Sequence, residues 1–410
     1  MASPRPSSPV AILGTWRSDF ARNLTREGND VSNLMAEAVD STLDAAGIAP
    51  SDVESIHVGN AFGGLYNGQA HLGALASQVE PELWGVPAMR QEAACASSSM
   101  SILAASAEIE AGRYDCVLVL GLEQERTMPG PDAAKVQQAA AWVGHETDGV
   151  EFIWPATFDR LADEYDARFG LDEHHLREIG RINLENAQDN PNAQTRTWKL
   201  SSDSFGTDDH LNPVVAGRLR RNDCCQITDG AAGVVLVSER WLDNHGRTPS
   251  AVLAGWGHAT VGLSLESKLE RPHSDYVMGH VRSAITDAWT RAGISGISDV
   301  DLAEVHDCMT PSEYMAIDHL GITEPGQSWQ AIEDGRIRRD GSIPLNPSGG
   351  LIGGGHPVGA TGARMVADAT AQVTNAAGAF QVDGARRAQT LNIGGSTATT
   401  VSFIIEGVDA

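Results

Sequence analysis

Residues 31–60 read VSNLMAEAVDSTLDAAGIAPSDVESIHVGN, and residues 277–307 read VMGHVRSAITDAWTRAGISGISDVDLAEVHD. Each is apolar at helical spacing and reaches Ala-Gly-Ile, at Ala46-Gly47-Ile48 and Ala292-Gly293-Ile294. Each then passes an Asp-Val pair, Asp52-Val53 or Asp299-Val300, and ends on an apolar strand with a polar tip. Gly47 and Gly293 stand where a helix C-cap belongs, because glycine accepts the left-handed backbone that ends a helix. A helix–loop–strand unit repeated once, at opposite ends of the chain, is too widely spaced for a solenoid. It predicts two similar α/β halves.

The next unit of each half is also alike. Arg90-Gln-Glu-Ala-Ala-Cys95-Ala-Ser-Ser-Ser-Met100 leads into a predicted helix over 101–111, closed by Gly112, and a strand over 116–120. Asn346-Pro-Ser-Gly-Gly-Leu-Ile-Gly-Gly-Gly-His356-Pro-Val-Gly-Ala-Thr-Gly362 leads into a helix over 363–373 and strands over 389–392 and 399–405. One half thus presents a cysteine at a helix start and the other a histidine. Alternating strands and helices predict a layered α/β fold. Residues 121–221 are more polar, with helical patterns over 159–169 and 173–186, and read as an insertion. A buried strand resumes over 230–238, and 241–249 reads as a polar connection. The expected division is therefore 1–120 with 222–248 as the N-terminal half, 121–221 as an inserted loop domain, and 249–410 as the C-terminal half.

Composition sets the bounds. The chain has 410 residues, is 41% apolar and carries a net charge of −25. That charge argues against nucleic acid and anionic membrane as partners, and means that an anionic substrate needs a local basic patch. Arg218, Arg220 and Arg221 offer one; the other reading is a solvated basic turn. No apolar run is long enough to span a bilayer. The N-terminus lacks a cationic segment followed by an apolar core, so it reads as a loose lead into a strand at 10–13 rather than a signal peptide. The C-terminal residues carry no peroxisomal or retention signal, and a cytoplasmic location is expected. Five cysteines with no paired framework or zinc-type spacing read as reduced thiols, with no metal.

Four stretches carry chemistry. Cys95, beside a helix start, is either a thiolate stabilised by helix N–H groups or a buried inert thiol. His356, held among seven glycines, is either a proton carrier on rigid backbone or a bystander in a turn. Glu304-Val-His306-Asp-Cys308-Met-Thr310 lies at a strand tip, where α/β ligand sites form; a cap by Asp307 is the alternative. Asn392-Ile-Gly394-Gly-Ser-Thr397 exposes backbone N–H groups as an oxyanion hole requires, or is an ordinary tight turn.

Taken together, Ala94-Cys95-Ala-Ser-Ser-Ser, His306-Asp-Cys308, Gly355-His356-Pro-Val-Gly-Ala-Thr-Gly362 and Asn392-Ile-Gly-Gly resemble the thiolase family in order and spacing, over nearly the whole chain. The nearest subgroup is the sterol carrier protein type, which has His-Asp-Cys-Phe where other thiolases have Asn-Glu-Ala-Phe and lacks the cysteine of a C-terminal Cys-x-Gly. Here Met309 stands for that Phe, and Asn392 stands at that cysteine. The resemblance implies a thiolase-like fold, layered α-β-α-β-α. It implies Cys95 as acyl-accepting nucleophile, His356 as its base, and Cys308 as the acid/base at the α-carbon. It implies His306 as an enolate donor, and the N–H groups of Cys95 and Gly394 as the thioester oxyanion hole. Cys225 would line the pantetheine channel, and the three arginines would meet CoA phosphates. CoA is then a substrate, and no cofactor is expected.

The expected activity is thiolysis of a 3-oxoacyl-CoA by CoA, or the reverse Claisen condensation, with a leaning to longer, branched or steroid side-chain substrates in lipid degradation. Two alternatives stand: a biosynthetic condensing enzyme without thiolysis, and a non-catalytic or aldolase-like homologue working with a small OB-fold partner. Retention of both Cys95 and His356 disfavours the last. Family members are homodimers or homotetramers.

Overall fold

The structure is a computed structural model that describes residues 10–270 and 274–408; the expected N-terminal lead and the last two residues lie outside them. Its first half contains β1 (Val10–Arg17), α1 (Val31–Ala46), β2 (Ser55–Gly59), β3 (Ala88–Gln91), α2 (Ser97–Glu110) and β4 (Cys116–Gln124). The inserted region follows, with helices α3 (Ile153–Phe169) and α4 (Glu173–Asn186) and a small hairpin, Val214–Ala216 with Leu219–Arg220. β5 (Asp229–Val237) completes the half. The second half has β6 (Ala251–Thr260), α5 (Gly279–Ala292), β7 (Leu302–Val305), α6 (Thr310–His319), α7 (Thr361–Val373), β8 (Arg387–Gly394) and β9 (Thr399–Gly407).

Nine strands form one sheet in the order β3-β2-β4-β5-β1-β6-β9-β8-β7. Reading outward from the centre, each half repeats the other. β2 runs parallel to β4, and β7 parallel to β8. β4 pairs antiparallel with β5, and β8 with β9. The place of β3 is taken in the second half by a single parallel bridge between Ala303 and Leu345. The halves meet where β1 and β6 pair through Val10–Leu253, Ala11–Val252 and Ile12–Ala251. The repeat seen in the sequence is therefore a repeat of topology, and both Gly47 and Gly293 cap their helices in the left-handed region.

Three of the four apolar clusters among the described residues fill the layers. One lies between α1 and the first-half strands, through Leu34, Met35, Val39 and Val235. A second holds α2 and α7 back to back between the strands of both halves, through Ile102, Ala105, Val366 and Ala369. The third joins α5 and α6 to the second-half strands and to α3 and α4. This is the α-β-α-β-α arrangement, with α2 and α7 in the middle.

Small residues decide that middle layer. A Cβ on Gly362 would lie 2.1 Å from Ser99 Oγ, so only glycine lets the two helix starts cross this closely. The serine run that is odd for a core helix is buried and bonded. Ser97 Oγ donates to Ala94 O (2.6 Å), Ser98 Oγ accepts from Ala363 N–H (2.9 Å), and Ser99 Oγ donates to Asn392 Oδ1 (2.7 Å).

Some boundaries differ from expectation. Helix α2 starts at Ser97, four residues early, because the serines are bonded inside rather than left as a loop. β4 continues to Gln124 because its last residues still pair with β5. Residues 241–249 are partly a helix, Glu239–His245, capped by Ser238 Oγ on Trp241 N–H (3.0 Å).

Candidate active site

Cys95 follows β3, His306 follows β7, Gly395 follows β8 and His356 lies beyond Leu345, and the contacts among them show that all four meet. Cys95 follows Ala94, which sits at φ +51°, a left-handed backbone that costs a non-glycine residue about 1 kcal/mol. The turn is held by Ser97 and by Ala94 N–H donating to Glu92 Oε1 (2.6 Å). Such a turn thrusts the thiol out ahead of α2.

Cys95 Sγ lies 3.3 Å from His356 Nε2. His356 Nδ1 lies 2.7 Å from Thr361 Oγ1, whose own hydroxyl donates to Pro357 O (3.1 Å). Thr361 must then accept, so His356 carries its proton on Nδ1 and turns the Nε2 lone pair to the thiol. The His306 ring stands edge-on to His356, with centroids 5.3 Å apart at 83°. One ligand atom each from Cys95, His306 and His356 falls within 4.8 Å of the others, a spacing that a soft divalent ion such as Zn²⁺ would also accept.

Burial dominates the electrostatics. It pushes the Cys95 thiol up to about 12, opposed by a hydrogen bond from Gly395 N–H. It pulls His356 down to about 3, helped by Arg364, and holds His306 well below the usual histidine value. Of the two readings open for Cys95, burial favours a neutral thiol beside a neutral imidazole; Cys95 precedes the helix and gains too little from its N–H groups to offset desolvation. Cys308 is a neutral thiol raised by burial and by its neighbours Cys225 and Cys95. It shares an inner chamber with Cys95 and Cys225.

The backbone donor facing Cys95 Sγ belongs to Gly395, at φ +62°. Gly394, one residue earlier, packs against the carbonyl of Ala93, where a Cβ would come to 2.2 Å. The arginines separate. Arg218 is engaged by Asp159, Asp163 and Asp166, and Arg220 by Asp209 and Asn212 O. Arg221 lines the outer cavity together with Cys225.

Sequence patterns missed the acidic clamps. Asp307 accepts from Leu351 N–H (2.6 Å), Ile352 N–H (3.2 Å) and Asn183 Nδ2 (2.9 Å), tying the His356 loop to α4. Glu125 accepts from Val358 N–H (2.8 Å) and Glu123 from Gly359 N–H (3.1 Å), pinning the same loop from the other half. The available signal was two glutamates on one face at the end of a buried apolar strand. Asp307→Ala strands three buried donors, so a loss of about 3 kcal/mol is expected in denaturant unfolding. Asp307→Asn should recover part of it.

A family model described as thiolase, N-terminal domain, matches residues 10–240, and one described as thiolase C-terminal domain-like matches 265–407. The chain belongs to the thiolase family and is an acyltransferase of that family. It is 32% identical to an acetyl-CoA acetyltransferase of Methanothermobacter thermautotrophicus, over 96% of this chain and 98% of that one. It is 29% identical to bovine sterol carrier protein 2, over 96% of this chain and 72% of that protein. Among solved structures, the Ltp2-ChsH2(DUF35) aldolase superposes with a TM-score of 0.78 at 19% identity, covering 97% of this chain and 98% of that one. Human mitochondrial 3-ketoacyl-CoA thiolase gives 0.72 at 19% identity, covering 98% and 99%. These structural likenesses bear on fold alone.

Proposed function

We propose that this protein cleaves short 3-oxoacyl-CoA substrates with CoA, or runs the reverse condensation, through an acyl-enzyme on Cys95. The observation that carries the reading is the 3.3 Å contact between Cys95 Sγ and a His356 whose free lone pair faces it. His356 Nε2 takes the thiol proton as sulfur attacks the 3-oxo carbon. The C2–C3 bond breaks, its electron pair forming the enolate of acetyl-CoA. His306 donates a hydrogen bond to that enolate oxygen, and Cys308 delivers a proton to its carbon. The thiol of CoA then attacks the Cys95 thioester, its proton going to Cys308, and the shortened acyl-CoA leaves as His356 returns its proton to Cys95. Thiolate serves both as nucleophile and as leaving group, which this exchange requires.

Chain length follows from room. The inner chamber at Cys95 offers about 30 Å³, walled by Phe62, Trp154, Phe158 and Met309. The outer cavity, about 240 Å³, holds Arg221 and Cys225 and suits the pantetheine arm. An acetyl-sized group fits the inner chamber better than the long or steroidal acyl groups that the family subgroup suggests. Two relatives with about 30% identity are named acetyl-CoA acetyltransferases. The family resemblance implies a homo-oligomer, with edge strand β3 and the exposed Trp84 and Met89 available for self-association, and the cytoplasm remains the default location from the sequence.

The test is thiolysis of acetoacetyl-CoA against a long-chain 3-oxoacyl-CoA, read as acetyl-CoA release. Acetoacetyl-CoA should be preferred by at least about tenfold, and Met309→Ala should narrow that ratio. Cys95 that is acylated without thiolysis would instead mark a condensing enzyme. No acylation of Cys95 by any acyl-CoA would overturn the catalytic reading.

A further inference from the structure

We propose that Asn392 is a positioning residue that fixes the tautomer of His306, so that His306 presents Nε2–H to the reacting centre. Ser99 makes its side-chain hydrogen bond, among the described residues, to Asn392 Oδ1 at 2.7 Å. The Ser99 hydroxyl is buried and has no other acceptor among the described residues, so the amide oxygen faces it and the NH₂ faces His306; the flipped amide would leave that O–H unpaired. Asn392 Nδ2 lies 3.2 Å from His306 Nδ1. An amide NH₂ only donates, so Nδ1 must be the acceptor, and in a neutral imidazole the proton then sits on Nε2. The opposite tautomer would set two N–H groups against each other.

His306 Nε2 is buried and has no hydrogen-bond partner among the described residues, although a ring nitrogen of His306 lies within 4.8 Å of Cys95 Sγ and of a His356 nitrogen. A buried polar atom without a partner is costly, and here its ring stands edge-on to His356 beside the Cys95 thiol. The two histidines are thus set in opposite tautomers by two different neighbours. Thr361 makes His356 a lone-pair acceptor toward the thiol. Asn392, oriented from α2 by Ser99, makes His306 a donor. One ring takes a proton while the other holds a developing negative charge, and neither does so by ionising beforehand.

The catalytic consequence rests on the proposed function; the tautomer does not. The experiment uses full-length enzyme labelled with ¹⁵N-histidine, with His306 signals assigned by their loss in His306→Gln. Two-bond ¹H–¹⁵N spectra should show His306 protonated at Nε2 and His356 at Nδ1. In Asn392→Asp, which changes no volume, the carboxylate accepts from Nδ1–H, and His306 should move to the other tautomer or to imidazolium. Exchange of the acetyl-CoA methyl protons in D₂O should then fall about 10²-fold, as loss of one oxyanion donor implies, and fall more than Cys95 acylation does. Ser99→Ala, which frees the amide to rotate, should give a mixture of tautomers. His306 protonated at Nδ1 in the wild type, or an unchanged tautomer in Asn392→Asp, overturns the proposal. A wild type that shows the expected tautomer but no exchange counts against the proposed function instead.

Discussion

Cys95→Ala is expected to abolish thiolysis, by about 10⁴-fold or more, with no acyl group found on the protein by intact-mass measurement. The expectation rests on the absence of a substitute: Cys308 shares the chamber, but the lone pair of His356 is aimed at Cys95. His356→Ala should lose about 10³–10⁴-fold in acylation, the upper range for removal of a general base. The double variant should be little worse than either single one, because the two groups act as a unit. The pH dependence separates this neutral pair from a preformed ion pair. Burial keeps the Cys95 thiol protonated up to about 12 and the His356 imidazole neutral down to about 3. Between those values neither group changes charge in the free enzyme. Acylation kcat/KM by acetyl-CoA should therefore run level through pH 6.5, where an ordinary histidine titrates. A falling acid limb centred there would show that His356 is open to solvent and that the neutral pair is wrong.

The duplicated halves were legible because each repeated unit carries its own local signals: amphipathic spacing, a glycine C-cap and a strand with a polar tip. The positions of Cys95 and His356 were legible for a related reason. Each follows the same place in its half, after β3 or after the bridge at Leu345, and the packing of α2 on α7 between the halves brings them together. What stayed hidden depends on contacts between distant segments. Glu123 and Asp307 look like strand-end residues until the His356 loop is laid across them. Burial pushes Glu123 up to about 7 and Asp307 up to about 6, shifts that no local pattern announces. The protonation of Cys95 stayed open for the same reason, since a helix start promises stabilisation and only the full fold shows the desolvation that opposes it. Arg218 shows the limit of composition: it lies beside Arg220 and Arg221 in sequence, yet three aspartates in α3 occupy it.

Cys308→Ala is expected to separate the two halves of the reaction. Acylation of Cys95 relies on His356 and should persist, while proton transfer at the α-carbon should fall by about 10²–10⁴-fold. The readouts are burst acylation by acetyl-CoA and exchange of its methyl protons in D₂O. Two thiols other than Cys95 line the inner chamber, Cys225 and Cys308, and both are raised well above the ordinary thiol value, chiefly by burial. Energetics alone does not choose between them, but their settings differ. Cys308 is the buried last residue of the His306-Asp307-Cys308 segment, which Asp307 locks to the His356 loop, so its distance to the reacting centre is fixed. Cys225 is only partly buried and lines both the inner and the outer cavity, where the pantetheine arm would pass. A high thiol pKa suits a group that returns a proton to carbon, because the acid form is the one populated at neutral pH. Cys225→Ala should therefore raise KM for CoA more than it lowers methyl exchange. If instead Cys225→Ala stops exchange while Cys308→Ala leaves it intact, the α-proton belongs to Cys225 and the His306-Asp307-Cys308 segment serves only to hold the enolate oxygen.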